Sequence, residues 1–332
     1  VVQSASPRIA VIGAGLAGLA AARVLAGAGA KPAVFEKARR PGGRIATRRA
    51  DAGAFDHGAQ YLTARAPGFA AVLADWCRRG VARRWEAPLV RLAAGAPAPA
   101  PGAAPRYVGV PGMSALAGDL AGALPVHCAR RIERVERRAR AWRLVDEDGV
   151  SIDGFDAVVV ATPAPQAVPL LTAVPALAAR VAAVPMLSCQ AAMVAFPRPL
   201  AVDFAGAFVD ESPLAWAARN ASKPSRPGSE CWVLHASPAW SAATLDEPPE
   251  MVACALLAAF ASALGARLPA PIHLATHRWR FARAARPLGD VVWDAEARLG
   301  VCGDWTLGDR VESAFESGER LARAILAARG DA

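Results

Sequence analysis

The first forty residues carry two hydrophobic patterns in succession. Ile9-Ala10-Val11-Ile12 is a short apolar run, rich in β-branched residues and bounded by glycine, and it predicts a buried strand. Past Gly13-Ala14-Gly15, the apolar positions Leu16, Leu19, Ala20 and Val24 fall at helical spacing until Gly27 and Gly29 end the helix. A second strand, Ala33 to Phe35, stops at Glu36. Phe69, Val72, Leu73 and Trp76 share one side of a helix from Phe69 to Cys77, and Val81 to Leu92 alternates loosely, as a strand pair would. Ala93 to Pro105, built from Ala, Gly and Pro, predicts a mobile hairpin tip or linker. A helix starts at Pro111-Gly112-Met113-Ser114 and runs through Leu120. Val126 to Val145 predicts two strands, and Phe155 to Pro163 a buried parallel strand closed by proline.

The middle of the chain changes character. Met186–Phe196, Leu214–Asn220, Cys231–Ser237 and Ile272–Phe281 predict four strands, with a helix around Met251 behind Asp246-Glu247-Pro248-Pro249-Glu250. Period-two alternation puts Cys231, Val233 and His235 on one face, Trp216, Ala218 and Asn220 on another, and His273, His277 and Trp279 on a third. An antiparallel sheet with polar and aromatic groups on one face suits the wall of a substrate cavity. Near the end, Gly300-Val301-Cys302-Gly303-Asp304 reads as a strand ending in Gly-Asp, and Gly308 to Ala314 leads into a last helix carrying Phe315, Leu321, Ile325 and Leu326.

The glycines of the first turn give the pattern its chemistry. Gly13 permits the tight turn, Gly15 lets backbone approach a pyrophosphate, and Gly18 lets helix and strand pack closely. The unpaired N–H groups of the helix start face phosphate, and Glu36 is placed to accept hydrogen bonds from a ribose. Strand, fingerprint, helix, strand and terminal acid in one unit predict dinucleotide binding.

Composition narrows the setting. The 332 residues are 54% hydrophobic and 20% charged, which excludes a disordered chain and allows two domains. The net charge of +9 is almost wholly arginine, the lysines being Lys31, Lys37 and Lys223. No basic helix interleaved with aromatics accompanies it, so nucleic acid is not an expected partner. Six scattered cysteines without a CxxC pair argue against a metal centre and a disulfide framework. Val1 to Arg8 lacks an apolar signal core, and the most apolar stretch, Met251 to Ala266, is too short to span a membrane. These features predict a cytoplasmic protein without membrane association.

Beyond Glu36, the order Arg39-Arg40-Pro41-Gly42-Gly43-Arg44 and then Asp56-His57-Gly58-Ala59-Gln60-Tyr61 resembles the flavin-containing amine oxidase superfamily. Nearly the whole chain is similar to the bacterial renalases within it. The similarity runs through Asp51-Ala52-Gly53-Ala54, Ala161-Thr162-Pro163-Ala164-Pro165-Gln166, Ala218-Arg219-Asn220 with Ser222-Lys223-Pro224, Leu234-His235-Ala236-Ser237, His277-Arg278-Trp279 and Val301-Cys302-Gly303-Asp304-Trp305. The resemblance implies an α/β fold: a Rossmann-like FAD-binding domain with a second α+β substrate domain on an antiparallel sheet. It places the FAD-binding domain at 1–76, 111–178 and 283–332, and the substrate domain at 77–110 and 179–282.

The same resemblance implies non-covalent FAD held by Gly13, Gly15, Ala17, Gly18, Glu36, Lys37, Gly43, Arg44, Gln60, Tyr61, Val135, Gly303, Asp304 and Val311. Arg44 would grip phosphate or ribityl oxygens, the chain near Val135 would offer backbone groups to adenine, and Asp304 would accept from a ribityl hydroxyl. The helix start at Val311 and Glu312 would aim its amides at the flavin N1–C2=O edge. Renalases oxidise the 1,2- and 1,6-dihydro isomers of NAD(P)H, return NAD(P)+ and pass the electrons to dioxygen as hydrogen peroxide. Tyr61, Asn220, His235 and Trp279 are then the candidates at the substrate, and Lys223 either meets a substrate phosphate or is solvated. An amine oxidase is the alternative on the same fold, although Met186 to Phe196 lacks the lysine and the chain lacks the tyrosine pair typical of that group. A non-catalytic FAD-binding protein is the third reading.

Overall fold

Arg8–Ile12 is an inner strand of a six-stranded sheet, paired in parallel with Lys31–Phe35 on one side and Ala157–Val160 on the other. Ile9 to Ile12 and Ala157 to Val160 are all buried, which is why both read as unbroken apolar runs. The sheet continues through Val126–His127 beyond Lys31–Phe35, and through Leu299–Val301 and the antiparallel Val292–Asp294 beyond Ala157–Val160. This is a computed structural model, and it describes residues 6–93, 96–99, 104–226 and 228–330. The strands belong to one of two units, made of the chain up to Gly43, Leu116–Met186 and the chain from Arg283 onward.

Two helices of this unit meet at small residues. A Cβ at Gly318, in the helix Val311–Gly330, would stand 2.0 Å from the carbonyl oxygen of Ala17 in the helix Leu16–Gly27. Only glycine allows that approach. The stretch Val126 to Val145 holds three strands where the sequence predicts two. Ala129 takes a φ of +53°, a left-handed conformation that ends any strand. Val126–His127 therefore joins the parallel sheet, while Ile132–Arg138 pairs with Ala141–Asp146 and, through it, Ser151–Phe155 in a small antiparallel sheet.

The second unit comprises Arg44–Ala115 and Leu187–Ala282 and is built on a seven-stranded sheet. The four predicted strands are present as Met186–Phe196, Leu214–Arg219, Glu230–Ala236 and His273–Ala284. Gly206–Val209, Leu89–Ala93 and Ala96–Pro99 extend the sheet. One face is covered by the helix Pro249–Leu264, where Leu256 and Phe260 pack with Trp232 and Leu234. On the other face Met193, Ala195, Cys231 and Val233 pack against Phe55 of the hairpin Thr47–Ala50 and Gly53–Asp56.

Three expectations change here. The strands within Val81 to Leu92 do not pair with each other: Ala82–Arg84 pairs with Tyr107–Gly109, and Leu89–Ala93 with Gly206–Val209. Within Ala93 to Pro105, Ala96–Pro99 is an edge strand on Leu89–Ala93, and residues 94–95 and 100–103 lie outside the described residues. Residues 44–76 and 111–115, expected with the cofactor domain, sit in the second unit, because their hairpin lays Phe55 onto its sheet; residues 179–186 sit in the first. Among the described residues, no helix is long and apolar enough to cross a membrane.

Candidate active site

In the first unit the central strand ends at Gly13, whose N–H donates to the Phe35 carbonyl at 2.8 Å. Gly13 has a φ of +108°, and a Cβ there would lie 2.8 Å from the Ala161 carbonyl oxygen. Gly18 is tighter still, since its Cβ would stand 2.0 Å from the Gly13 carbonyl oxygen. Gly15 differs: nothing lies within 4 Å of its Cβ position. The helix that starts at Leu16 has no side-chain cap and no acid in its first turn. Open space beside uncapped amides, at the carboxyl end of an inner parallel strand, suits a pyrophosphate. The second glycine turn returns to this place, with the Gly42 N–H donating to Ala14 O at 3.0 Å and the Gly43 Cβ position 3.7 Å from Gly15 Cα.

The same unit carries the other cofactor candidates. Glu36 is buried, and its carboxylate accepts from the Ala14 N–H and the Ala38 N–H, each at 2.8 Å. No side-chain cation neutralises it through these bonds, and lone pairs remain for a ligand hydroxyl. Lys37 donates to Gln166 Oε1 at 3.1 Å, and burial, with Arg131 adding, pulls its pKa below the usual lysine value. Val135 is buried in Ile132–Arg138, an edge strand of its small sheet. Gly303 has a φ of +156° and its N–H donates to Ser317 Oγ at 2.9 Å, next to the buried Asp304. Val311 is the first residue of the last helix.

The second unit assembles its candidates around one peptide carbonyl. His57 O accepts from His235 Nε2 and from Trp279 Nε1, both at 2.9 Å. The His57 ring stacks on Trp279 at 5.0 Å and meets His277 edge-on at 4.8 Å. Burial, with His277 next, drives the His57 pKa to about 4, and burial brings His235 to about 4 as well. His277 is lowered by burial and by Arg48. These imidazoles are neutral at pH 7, and His235, as donor through Nε2, holds its proton there. Tyr61 packs against Trp85 and Trp216, with the Arg106 guanidinium 5.3 Å from its ring centroid.

Three candidates have other duties than the expected ones. Asn220 has no exposed surface, and its amide clamps the hairpin, donating to Ala54 O and accepting from the Asp56 N–H at 3.3 Å. It positions the hairpin. Gln60 spends its amide within the unit, donating to Asp56 O and Gly58 O and accepting from Lys223 Nζ at 3.1 Å. Lys223 is neither solvated nor open to a phosphate: its side chain is sealed, 3.3 Å from Asp56 Oδ2. Arg226 reaches the same oxygen at 2.7 Å, while Thr47 Oγ1 and the Met113 N–H donate to Asp56 Oδ1. Burial alone would raise the Asp56 pKa, but Lys223, then Arg226, hold it below the usual carboxylate range. Arg44 Nη1 donates to Ala282 O at 3.0 Å.

Sequence reasoning passed over His57, Asp56 and Arg226 as working parts. His57 and Asp56 stood inside a quoted motif, but nothing local tells that a carbonyl or a carboxylate there will gather partners from far along the chain. Among the described residues, no group of His, Cys, Asp and Glu could hold a metal ion.

Comparison with known proteins decides the family. Residues 71–326 match the family described as flavin containing amine oxidoreductase, and residues 11–76 match an NAD(P)-binding Rossmann-like domain. The chain belongs to the flavin-containing amine oxidoreductases. Membership implies a flavin cofactor and an oxidoreductase activity, and the cradle around Gly15 and Glu36 fits that group. A crystal structure described as a protoporphyrinogen oxidase from Exiguobacterium sp. 255-15 is similar at a TM-score of 0.78 and 14% identity, over 97% of this chain and 99% of that one. A putrescine oxidase structure with putrescine bound gives a TM-score of 0.71 at 15% identity, over 97% and 99% of the two chains. At such identities the likeness speaks for the Rossmann-like oxidase fold alone. A segment of 48 residues is 52% identical to an L-amino-acid oxidase from Daboia russelii. That match covers 14% of this chain and spans only 10% of the relative's length.

Proposed function

We propose that this protein binds FAD without a covalent link and oxidises the 1,2- and 1,6-dihydro isomers of NAD(P)H, releasing NAD(P)+ and hydrogen peroxide. The observation that carries this reading is the character of the wall around His57. It is aromatic, its imidazoles are neutral, the charge that acts on His57 and His277 is the cation Arg48, and Asp56, the one buried carboxylate among the described residues of that unit, is closed off by two cations. A cationic amine finds no counter-charge among such groups, whereas a flat, uncharged dihydropyridine finds ring faces and hydrogen-bonding nitrogens.

In this reading Gly15 and Gly43 bring close backbone to the pyrophosphate, the turn at Gly13 and the close packing at Gly18 hold it in place, Ala17 adds an amide of the first helical turn, and Glu36 and Lys37 meet the ribose end. Arg44 and Asp304 take phosphate and ribityl oxygens, Val135 faces adenine, and the amides at Val311 favour the negative charge of reduced flavin. Bound FAD supplies the two-electron acceptor. The chain's own work is orientation and exclusion of water: Tyr61 and Trp279 offer ring faces, and His235 offers a neutral nitrogen. A dihydropyridine gives up hydride without prior deprotonation, so no acid–base dyad is needed. All six cysteines are free thiols, which supports a reducing, cytoplasmic setting.

The family match and the putrescine oxidase likeness favour amine oxidation as the second reading. One experiment separates the two. Under anaerobic conditions, 1,2- or 1,6-dihydro-NAD should bleach the flavin absorbance rapidly, with 1,4-NADH and simple amines slow or inert. Rapid bleaching by an amine alone would replace the first reading with the second.

A further inference from the structure

Three nitrogen-bearing side chains of the second unit gather beside Trp279, and none of them meets an acid. Arg48 lies opposite Phe55 in the hairpin ladder, so the two side chains leave the hairpin on one side, and His57 follows two positions after Phe55. The strand His273–Ala284 runs along that side. His273 stacks on Phe55 at 5.2 Å, and His277 meets the His57 ring edge-on at 4.8 Å. The Trp279 ring backs both imidazoles, 5.0 Å from His57 and 4.2 Å from His277. Arg48 is close enough for its charge to act on both of them.

Each of the three has unused capacity. His57 is 6% exposed, yet its Nδ1 is buried without a hydrogen-bond partner. A buried polar atom left unmet calls for a cause. His277 is half-buried and makes ring contacts with His57 and Trp279. Arg48 is exposed and, among the described residues, enters no ion pair. The neighbouring charges are spent elsewhere: Arg278 and Arg280 bind Asp246, while Lys223 and Arg226 bind Asp56. Arg49 falls on the opposite side of the hairpin, and His235 is engaged with the His57 carbonyl. No carboxylate acts on His57 or His277. A cation beside neutral imidazoles, with no acid in reach, is complementary to an anion.

We propose that Arg48, His57 and His277 form a phosphate-binding triad, and that the phosphate it takes is the 5′-phosphate of a nicotinamide nucleotide. The inference rests on the dihydronicotinamide reading above and adds the part of the substrate, beyond its ring, that is recognised. The guanidinium fork gives two parallel donors and each imidazole gives one, from different directions. A phosphate, with three free oxygens, can use all of them, whereas a carboxylate has only two oxygens to share. A neutral ligand leaves Arg48 unpaired, and a cationic one is repelled by it.

The test uses the FAD-loaded protein. Nicotinamide mononucleotide and nicotinamide riboside, which differ by the phosphate alone, are titrated by calorimetry, and their dihydro forms are compared in flavin reduction. The mononucleotide should bind about tenfold more tightly than the riboside, the worth of one charge-assisted contact, and inorganic phosphate should compete with it. Arg48→Gln and His277→Gln, each checked for retained flavin absorbance, should shrink that preference, Arg48→Gln the more. Equal affinities in the unaltered protein, or a preference that survives Arg48→Gln, overturn the triad. Binding of inorganic phosphate without binding of the mononucleotide overturns the nucleotide assignment. If both dihydro forms reduce the flavin with the same KM, the triad fails while the functional reading stands. If the mononucleotide is preferred but neither dihydro form reduces the flavin, the functional reading fails and the triad stands.

Discussion

Glu36 and Asp56 are both buried acids, and the chain treats them in different ways. Glu36 is met by two backbone amides from its own neighbourhood, those of Ala14 and Ala38. Asp56 is met by Lys223 and Arg226, by Thr47 and by the Met113 amide, drawn from three separate stretches. The first carboxylate keeps capacity for a ligand. The second is saturated and serves as the knot of its unit. A buried charge is therefore a sign of ligand binding only when its hydrogen-bonding capacity is not already spent.

Removing each acid should separate the two roles. Asp56→Ala leaves two buried cations unpaired, and loss of one partner of a buried pair costs about 3–5 kcal/mol. Urea unfolding should show that loss, and an unchanged midpoint would mean the cluster is solvated in solution. Glu36→Ala, which strands the Ala14 and Ala38 amides, should cost about 1–3 kcal/mol in unfolding, less than Asp56→Ala, and weaken FAD retention about tenfold, the worth of one good hydrogen bond to a charged group. Equal FAD affinity in the variant would remove Glu36 from the cofactor site. The smallest effect is a pH trend at Lys223, whose pKa burial lowers to about 8 from 10.5. Between those values the unfolded chain holds more protons than the folded one, so this site's contribution to stability rises with pH across that window. Unfolding free energies at pH 7 and 10 should diverge between wild type and Lys223→Met by on the order of 1 kcal/mol or more, the worth of about one pKa unit. Parallel pH curves would mean that Lys223 titrates as in water.

The same contrast explains what the sequence made legible. Gly13 to Glu36 folds within one strand–helix–strand unit, so spacing alone announces it. The helix Pro249–Leu264 and the strands Met186–Phe196 and Glu230–Ala236 were equally plain, because each buries an apolar set of its own. Partner choice was not plain. Leu89–Ala93 looked like half of a local pair, yet it joins Gly206–Val209, a strand too short to stand out. Asn220 continued the alternation of its strand, and only the three-dimensional structure shows the chain turning there so that its amide can hold Ala54 and Asp56. Lys223 read as a lysine for a substrate phosphate or for water because its counter-charge lies 167 residues away.

The strands Leu299–Val301 and Val292–Asp294, and the helix whose Gly318 meets Ala17, come late in the chain. On a ribosome, every residue of the second unit is made before those pieces emerge, while the N-terminal fingerprint waits with its sheet incomplete. A nascent chain halted near residue 282 would have one finished unit and one whose sheet still lacked Val292–Asp294 and Leu299–Val301.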